Sequence, residues 1–285
     1  FFLGGDFTLV NGLTRNRIVR LNTNGTVDTT FDAGTGFNES VQAIGVQPDG
    51  RVVAVGHFTT VNGVNRNRIV RLNSDGSIDD TFNPGGGANN PIRDMLVQPD
   101  GRTVIVGDFS SFNGIARKGV ARINSEGTLD ESFDPGNGAD FAVHAVVMQR
   151  DGRIIIAGDF KTYDEVECDG IVRLNTDGSI DSSFNSSLGF DDSVRCIAIQ
   201  EDGRIVVGGF FGHIGNVARG RITRLNPDGS LDDGFAVGAG ADGSVYSLAI
   251  QSDGKILAGG SFSQFNGLSR NGLVRLTESG GIDPT

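Results

Sequence analysis

The sequence predicts an all-β fold: a β-propeller of six blades, each with four antiparallel strands, one blade being incomplete. Three observations carry that expectation. A 51-residue period runs through the chain without insertion or deletion, kept by Gly5, Gly56, Gly107, Gly158, Gly209 and Gly260 and by Phe7, Phe58, Phe109, Phe160, Phe211 and Phe262. A period near this size marks a solenoid, propeller or array, whose units bury their cores against one another. Each period also holds short β-prone apolar runs separated by Asp-Gly turn signals. No segment shows helical periodicity, which removes leucine-rich and ankyrin arrays, and a β-helix would need shorter coils. Residues 1–285 read as a single propeller domain.

Residues 41–91 stand for the rest. Val41 to Gln47 reads as a first strand, with small residues at Ala43 and Gly45. Asp49-Gly50 accepts the positive φ angles of a tight hairpin. Arg51 to Phe58 is a second strand, apolar enough to be buried on both faces. A polar stretch, Thr59 to Asn67, leads to a third strand at Arg68 to Asn73. Asp75-Gly76 signals another hairpin, Ser77 to Phe82 a short fourth strand, and Asn83 to Pro91 a Gly-rich connection. Across the second turn, Arg20, Arg71, Arg122, Arg173, Arg224 and Arg275 precede Asp28, Asp79, Asp130, Asp181, Asp232 and Asp283 by eight residues. That spacing reads as an ion pair tying the third strand to the fourth, with a repeated anion or metal site as the alternative. The repeated Phe residues read as packing between blades, each burial contributing roughly 1.5–3 kcal/mol.

The run V-x-A-I-x-V-Q-P-D-G-R-x-V-x-V-G-x-F at Val41–Phe58, then R-L-N-x-D-G-S-I-D-x-x-F at Arg71–Phe82, resembles the delta-60 repeat, a β-propeller repeat of large bacterial surface and secreted proteins. The likeness covers the whole chain. It implies a propeller within an exported, often multidomain protein, with no established enzymatic activity and no catalytic residues to carry over. Kelch repeats have a similar period, and the Gly-Gly pairs at 4–5, 208–209 and 259–260 suit them. The chain has no Trp and only two Tyr, however, so their aromatic signature is missing.

Composition excludes several classes. A net charge of −11 argues against nucleic acid, which needs a basic footprint. No run approaches the roughly 20 apolar residues of a membrane span. Two cysteines, Cys168 and Cys196, are too few for a disulfide framework; they read as lying on one face of adjacent blades, bonded or free. The chain opens in mid-repeat, and six full periods would come to 306 residues, 21 more than it has. The shortfall reads as one connection and one first strand, cut away in a fragment, donated by a partner, or missing from a ring that closes without them.

Candidate binding residues follow from the expected loops. The Asp-Gly turns share one face and hardly vary. The other loops share the opposite face and differ between repeats, which is where a scaffold carries ligands. On that face Arg15, Arg66, Arg117, Arg219 and Arg270 precede the third strands, with Cys168 in the sixth place. They suit carboxylates or acidic glycans, or else order their own loops. Asn38, Asn89, Asp140, Asp191 and Asp242 precede the first strands, as Ca²⁺ ligands or as Asx-turns. No other cofactor is expected. Gln42, Arg93, His144, Arg195 and Tyr246 stand where first strands begin and differ most between repeats, so they read as a ligand ring or a solvated rim.

Catalytic signals are poor. His57, His144 and His213 occupy unrelated repeat positions, so no metal or triad spacing is visible. Gly238-Ala-Gly-Ala-Asp-Gly243 spells the dinucleotide fingerprint but precedes a strand where that motif needs a helix. The fourth repeat departs most, with Tyr163-Asp-Glu-Val-Glu-Cys-Asp169 placing four carboxylates in one loop. The reading is a non-enzymatic interaction or adhesion module, secreted or on the cell surface, with a protein or glycan partner on the variable face. A lectin-like or glycan-processing propeller and a structural subunit of an extracellular array are the alternatives.

Overall fold

The structure is a computed structural model and describes residues 1–284; among them there are strands and turns and no helix. They divide into two compact units, residues 1–138 and the part from residue 139 onward. In the first unit, Val41–Val46, Val52–Gly56 and Ile69–Leu72 make an antiparallel three-stranded sheet with the second strand in the middle. Ile92–Val97, Thr103–Gly107 and Val120–Ile123 repeat it, and Phe2–Gly4 pairs with Ile18–Arg20. The second unit holds three such sheets, led by Val143–Met148, Val194–Ile199 and Val245–Ile250.

Four strands per repeat is one more than the sheets hold. The segment expected as a fourth strand makes a single bridge, Leu72 to Ile78, and then turns away. Asp79 causes the turn: its Oδ1 accepts from the Thr81 amide at 2.9 Å and hydroxyl at 2.6 Å, and its carbonyl accepts from the Phe82 amide. An aspartate that captures the chain two residues on competes with a ladder. The polar stretch departs in the other direction. Thr60–Val61 and Val64–Asn65 pair as a small hairpin, closed by Asn62 at φ 51° and Gly63 at φ 75°. Positive φ at both central residues is the type I′ turn that Asn-Gly favours. The Asp-Gly turns are of another kind: Gly50 has φ 84° while Asp49 caps the Arg51 amide, so only the glycine is left-handed.

The middle strand is buried on both faces, as its composition requires. Val52 and Ala54 pack with Ile18, Phe31 and Val70, while Val53 and Val55 pack with Ile92, Ile105 and Phe109. Alternate side chains of one strand thus enter different layers, each built from two successive repeats. The second unit is layered likewise, Ile155 and Ala157 against Ile197 and Val207, then Val206 and Ile222 against Val245 and Ile256.

The Arg–Asp pair joins these layers. Arg71 Nε donates to Asp79 Oδ2 at 2.7 Å, and both side chains are buried. Its NH1 donates to Gln47 Oε1 and to the Ser125 carbonyl in the next repeat's turn, and its guanidinium lies 4.9 Å from the Phe82 ring centre. Arg173 does the same with Asp181, Gln149, the Pro227 carbonyl and Phe184. One side chain ties the third strand to the turn beyond it and to the neighbouring repeat.

Candidate functional site at the bulged ends of the first strands

Every complete repeat has the same irregularity. Val41 pairs with Gly56 and Ala43 with Val55, leaving Gln42 as an extra residue in a β-bulge. The bulged residues of the other repeats are Arg93, His144, Arg195 and Tyr246. Bulges re-aim side chains and gather beside functional sites. The cause lies across the ladder. A Cβ on Gly56, Gly107, Gly158, Gly209 or Gly260 would come inside 3.0 Å of the carbonyl oxygen two residues before the bulged one. That carbonyl accepts from the amide after the glycine, as in His57 to Ser40 at 2.9 Å. Glycine is needed here for space.

The bulge sets four of the five variable side chains beside the residue between that glycine and the repeat Phe. Arg93 grips Asp108 with two bonds, Nε to Oδ1 at 2.6 Å and NH2 to Oδ2 at 2.7 Å. The buried His144 places Nε2 at 2.8 Å from Asp159 Oδ2. Arg195 stacks over Phe210 at 4.3 Å, and Tyr246 meets the Phe210 ring edge-on while its hydroxyl reaches Ser261 Oγ at 3.3 Å. Gln42 donates to Ser40 Oγ.

In the second unit these pairs merge. Arg195 NH1 comes within 2.8 Å of His144 Nε2, and its NH2 stands 3.6 Å from Asp159 Oδ1. Burial pushes the Asp159 carboxyl up, but the Ser193 hydroxyl, His144 and Arg195 outweigh it and hold the group below the ordinary carboxylate value. His144, Arg195 and Tyr246 are therefore brought together, with Asp159 and Phe210 between them. Asp108, Asp159, Phe210 and Ser261 escape a reading of first strands alone. Their signal is the changing letter in G-x-F, which varies as widely as the bulged position. A cavity of about 210 Å³ opens beside Asp159 and Ser193. A larger one, about 470 Å³, lies at the Asp-Gly turns and is lined by Gln149, Asp151, Gln200 and Asp202, which recur from repeat to repeat.

The other candidates turn inward. Arg15, Arg66, Arg117, Arg219 and Arg270 each donate NH1 to the carbonyl of the preceding residue, and Arg66 and Arg219 stand 3.5 Å from Asp80 and Asp233. Asn38, Asn89, Asp140, Asp191 and Asp242 each spend Oδ1 on two backbone amides at the start of the hairpin, as Asn38 does at Thr59 and Thr60. Among the described residues no three His, Cys, Asp or Glu gather in a way that could hold a metal ion. The departing loop of the fourth repeat keeps the hairpin, with Asp164 at φ 46° and Glu165 at φ 65° in place of Asn-Gly.

Of the two outcomes left open for the cysteines, the structure has two free, buried thiols. Burial pushes both up to about 12. The thiolate is the reactive form, so neither should react with a disulfide reagent at about pH 8 until the protein unfolds. Titration with 5,5′-dithiobis(2-nitrobenzoate) in buffer and in urea measures this; immediate native labelling would contradict it.

A β-propeller family described as a domain of unknown function, DUF5122, matches residues 2–31, 47–82, 98–133, 149–184, 200–235 and 251–285. The chain belongs to the DUF5122 β-propeller family. No curated protein matches it. Solved structures share its fold at low identity. A protein of unknown function from Bacteroides caccae is 12% identical with a TM-score of 0.51, over 99% of this chain and 90% of that one. The WD40 β-propeller domain of Doa1 is 18% identical at 0.55, over 84% and 64%. The extracellular domain of a putative one-component system from B. thetaiotaomicron is 15% identical at 0.52, over 93% of this chain and 33% of that one. The internal DUF5122 matches run from the first Asp-Gly turn to the Phe after the Arg–Asp pair. They leave out 32–46, 83–97, 134–148, 185–199 and 236–250, which hold the connections and all five bulged residues.

Proposed function

We propose that the chain is a non-catalytic interaction module that holds a ligand at the bulged ends of its first strands. One observation carries this reading: an unvarying backbone device, the Gly-dependent bulge, presents four kinds of side chain over five repeats, Gln, Arg, His, Arg and Tyr. A position kept only for packing would repeat its residue, as the Arg–Asp pair does. The family match is compatible with this division: it covers the second and third strands of each internal repeat and leaves out the first strands, bulged residues included. Rigid scaffolds that vary their displayed residues are suited to recognition. A closed ring and an exported setting, secreted or at the cell surface, with a protein or glycan partner, belong to this proposal. The repeat's resemblance to surface-protein propellers supports that setting.

Glycan and peptide arrays probed with the folded chain test the reading. Retention of a defined subset without turnover of the retained compound is the expected result. Release of a cleaved or eliminated product would overturn the non-catalytic assignment, and retention of nothing on either array would overturn binding.

A further inference from the structure

The two arginines at bulged positions are a comparison built into the chain. Arg93 is neutralised by its own repeat, both carboxylate oxygens of Asp108 taking its Nε and NH2. Arg195 has Phe210 where Arg93 has Asp108, so its repeat supplies a ring face and no charge. Its Nε has no acceptor among the described residues, its NH2 reaches Asp159 only at 3.6 Å, and that carboxylate already engages His144.

The third guanidinium nitrogen is worse placed. His144 Nε2 lies 2.8 Å from an acceptor, Asp159 Oδ2, and 2.8 Å from a donor, Arg195 NH1. A ring nitrogen carries either a proton or a lone pair, so Nε2 cannot serve both neighbours; with its proton on Nε2 towards Asp159, the ring offers Arg195 NH1 only the longer contact at Nδ1, 3.4 Å. Moving Arg195 onto another carboxylate would leave His144 and Asp159 with an unopposed hydrogen bond. The surroundings of Arg195 are also unlike those of Arg93. Phe210 lies beneath the guanidinium, and Tyr246, half-exposed, stands edge-on to Phe210. A carboxylate on the terminal nitrogens of the guanidinium, the buried Nε lying out of reach, with a compact ring against the aromatic side chains would use this arrangement.

We propose that Arg195 anchors the carboxylate of an acidic sugar of the uronic-acid type, whose ring rests on Phe210 and Tyr246. The proposal depends on reading the bulged ends as the ligand surface and narrows that reading to one repeat and one chemical class.

Isothermal titration calorimetry with glucuronate, glucose and acetate tests it. Glucuronate should bind at least about tenfold more tightly than either control, one supplying no charge and the other no ring. Arg195→Gln should weaken glucuronate about tenfold or more, the size expected for a charge-assisted hydrogen bond. Arg150→Gln removes the same charge at an exposed site by the Asp-Gly turns and should change nothing. Tyr246→Ser, at a half-exposed position that does not threaten folding, should narrow the gap between glucuronate and acetate. Equal binding of either control, or equal effects of the two Arg→Gln changes, would overturn the proposal. Array ligands that depend on Gln42 or Arg93 while glucuronate goes unbound would overturn this site and leave the wider reading intact. A peptide carboxylate lost on Arg195→Gln, with glucuronate ignored, would overturn the sugar assignment.

Discussion

Replacing Asp79 by Ala is expected to destabilise the chain by about 3–5 kcal/mol, because it strands a buried guanidinium. Asp79 and Arg71 are each about 95% buried, and Arg71 also reaches Gln47 and the next repeat's turn. Once its carboxylate is gone, Arg71 must stay charged in a dry site or withdraw and give up the contact between repeats. The change also frees the Thr81 amide and hydroxyl that Asp79 holds. Asp80 is the control. It is exposed and stands 3.5 Å from Arg66, so Asp80→Ala should cost less than about 0.5 kcal/mol. Urea unfolding at neutral pH measures both.

Acid acts on the same set. Burial raises the carboxyls, but hydroxyl, amide and guanidinium donors outweigh it, holding Asp79 and Asp181 below the ordinary 3.8 and Asp130 at about 2. Folded values below unfolded ones mean that this stability is fully present above about pH 4. It is lost as pH falls towards 2, the unfolded chain binding protons first. The urea midpoint should therefore drop steeply below about pH 4 in the wild type, and a midpoint unchanged down to about pH 2.5 would contradict the assignment.

Gly260→Ala and Gly259→Ala are expected to act in opposite directions. A Cβ on Gly260 would enter the Ser244 carbonyl and the Cα of Val245, the backbone that forms the bulge at Tyr246. Overpacking against backbone that cannot rotate away should cost about 3 kcal/mol, the upper end of such effects. Gly259 has no left-handed φ, and a Cβ there meets only ordinary contacts, the Gly272 oxygen at 3.8 Å and the Ser247 Cβ at 4.0 Å. Alanine there restricts the unfolded chain and should stabilise by about 0.4–1 kcal/mol. Thermal unfolding of the two single variants decides this. Equal destabilisation by both would mean that the glycines serve chain flexibility and not the bulge.

Much of the scaffold was legible in the letters. The 51-residue period, the second strands and the Asp-Gly turns depend on local pattern, and the sheets follow them. The fourth strand was misread because Ile78 fits a strand while Asp79 captures Thr81, a competition that alternation of apolar residues does not display. The hairpin at Thr60–Asn65 was overlooked because its arms are two residues each and polar, although Asn62-Gly63 announced the turn. For the candidate site, divergence at Gln42, Arg93, His144, Arg195 and Tyr246 marks the strand end at which the structure places the bulges. What was hidden is the partner of each residue, because a bulge shifts register by one and brings in the residue after the glycine. The spacing of the Arg15 set suits an acidic ligand or its own loops equally, and only the structure adds that each guanidinium donates to the carbonyl of the preceding residue.

On the proposed reading the unvarying part of each repeat builds and the bulged part binds. Two composite proteins tested on the same array address it most directly. One carries Gln42→Ala, Arg93→Ala, His144→Ala, Arg195→Ala and Tyr246→Ala; the other carries Asn at Asp49, Asp100, Asp151, Asp202 and Asp253, where the amide oxygen can still cap the turn. Both should remain folded by circular dichroism. The first is expected to lose every array ligand and the second to retain them all. Loss in the second, with retention in the first, would place recognition at the Asp-Gly turns and not at the bulges.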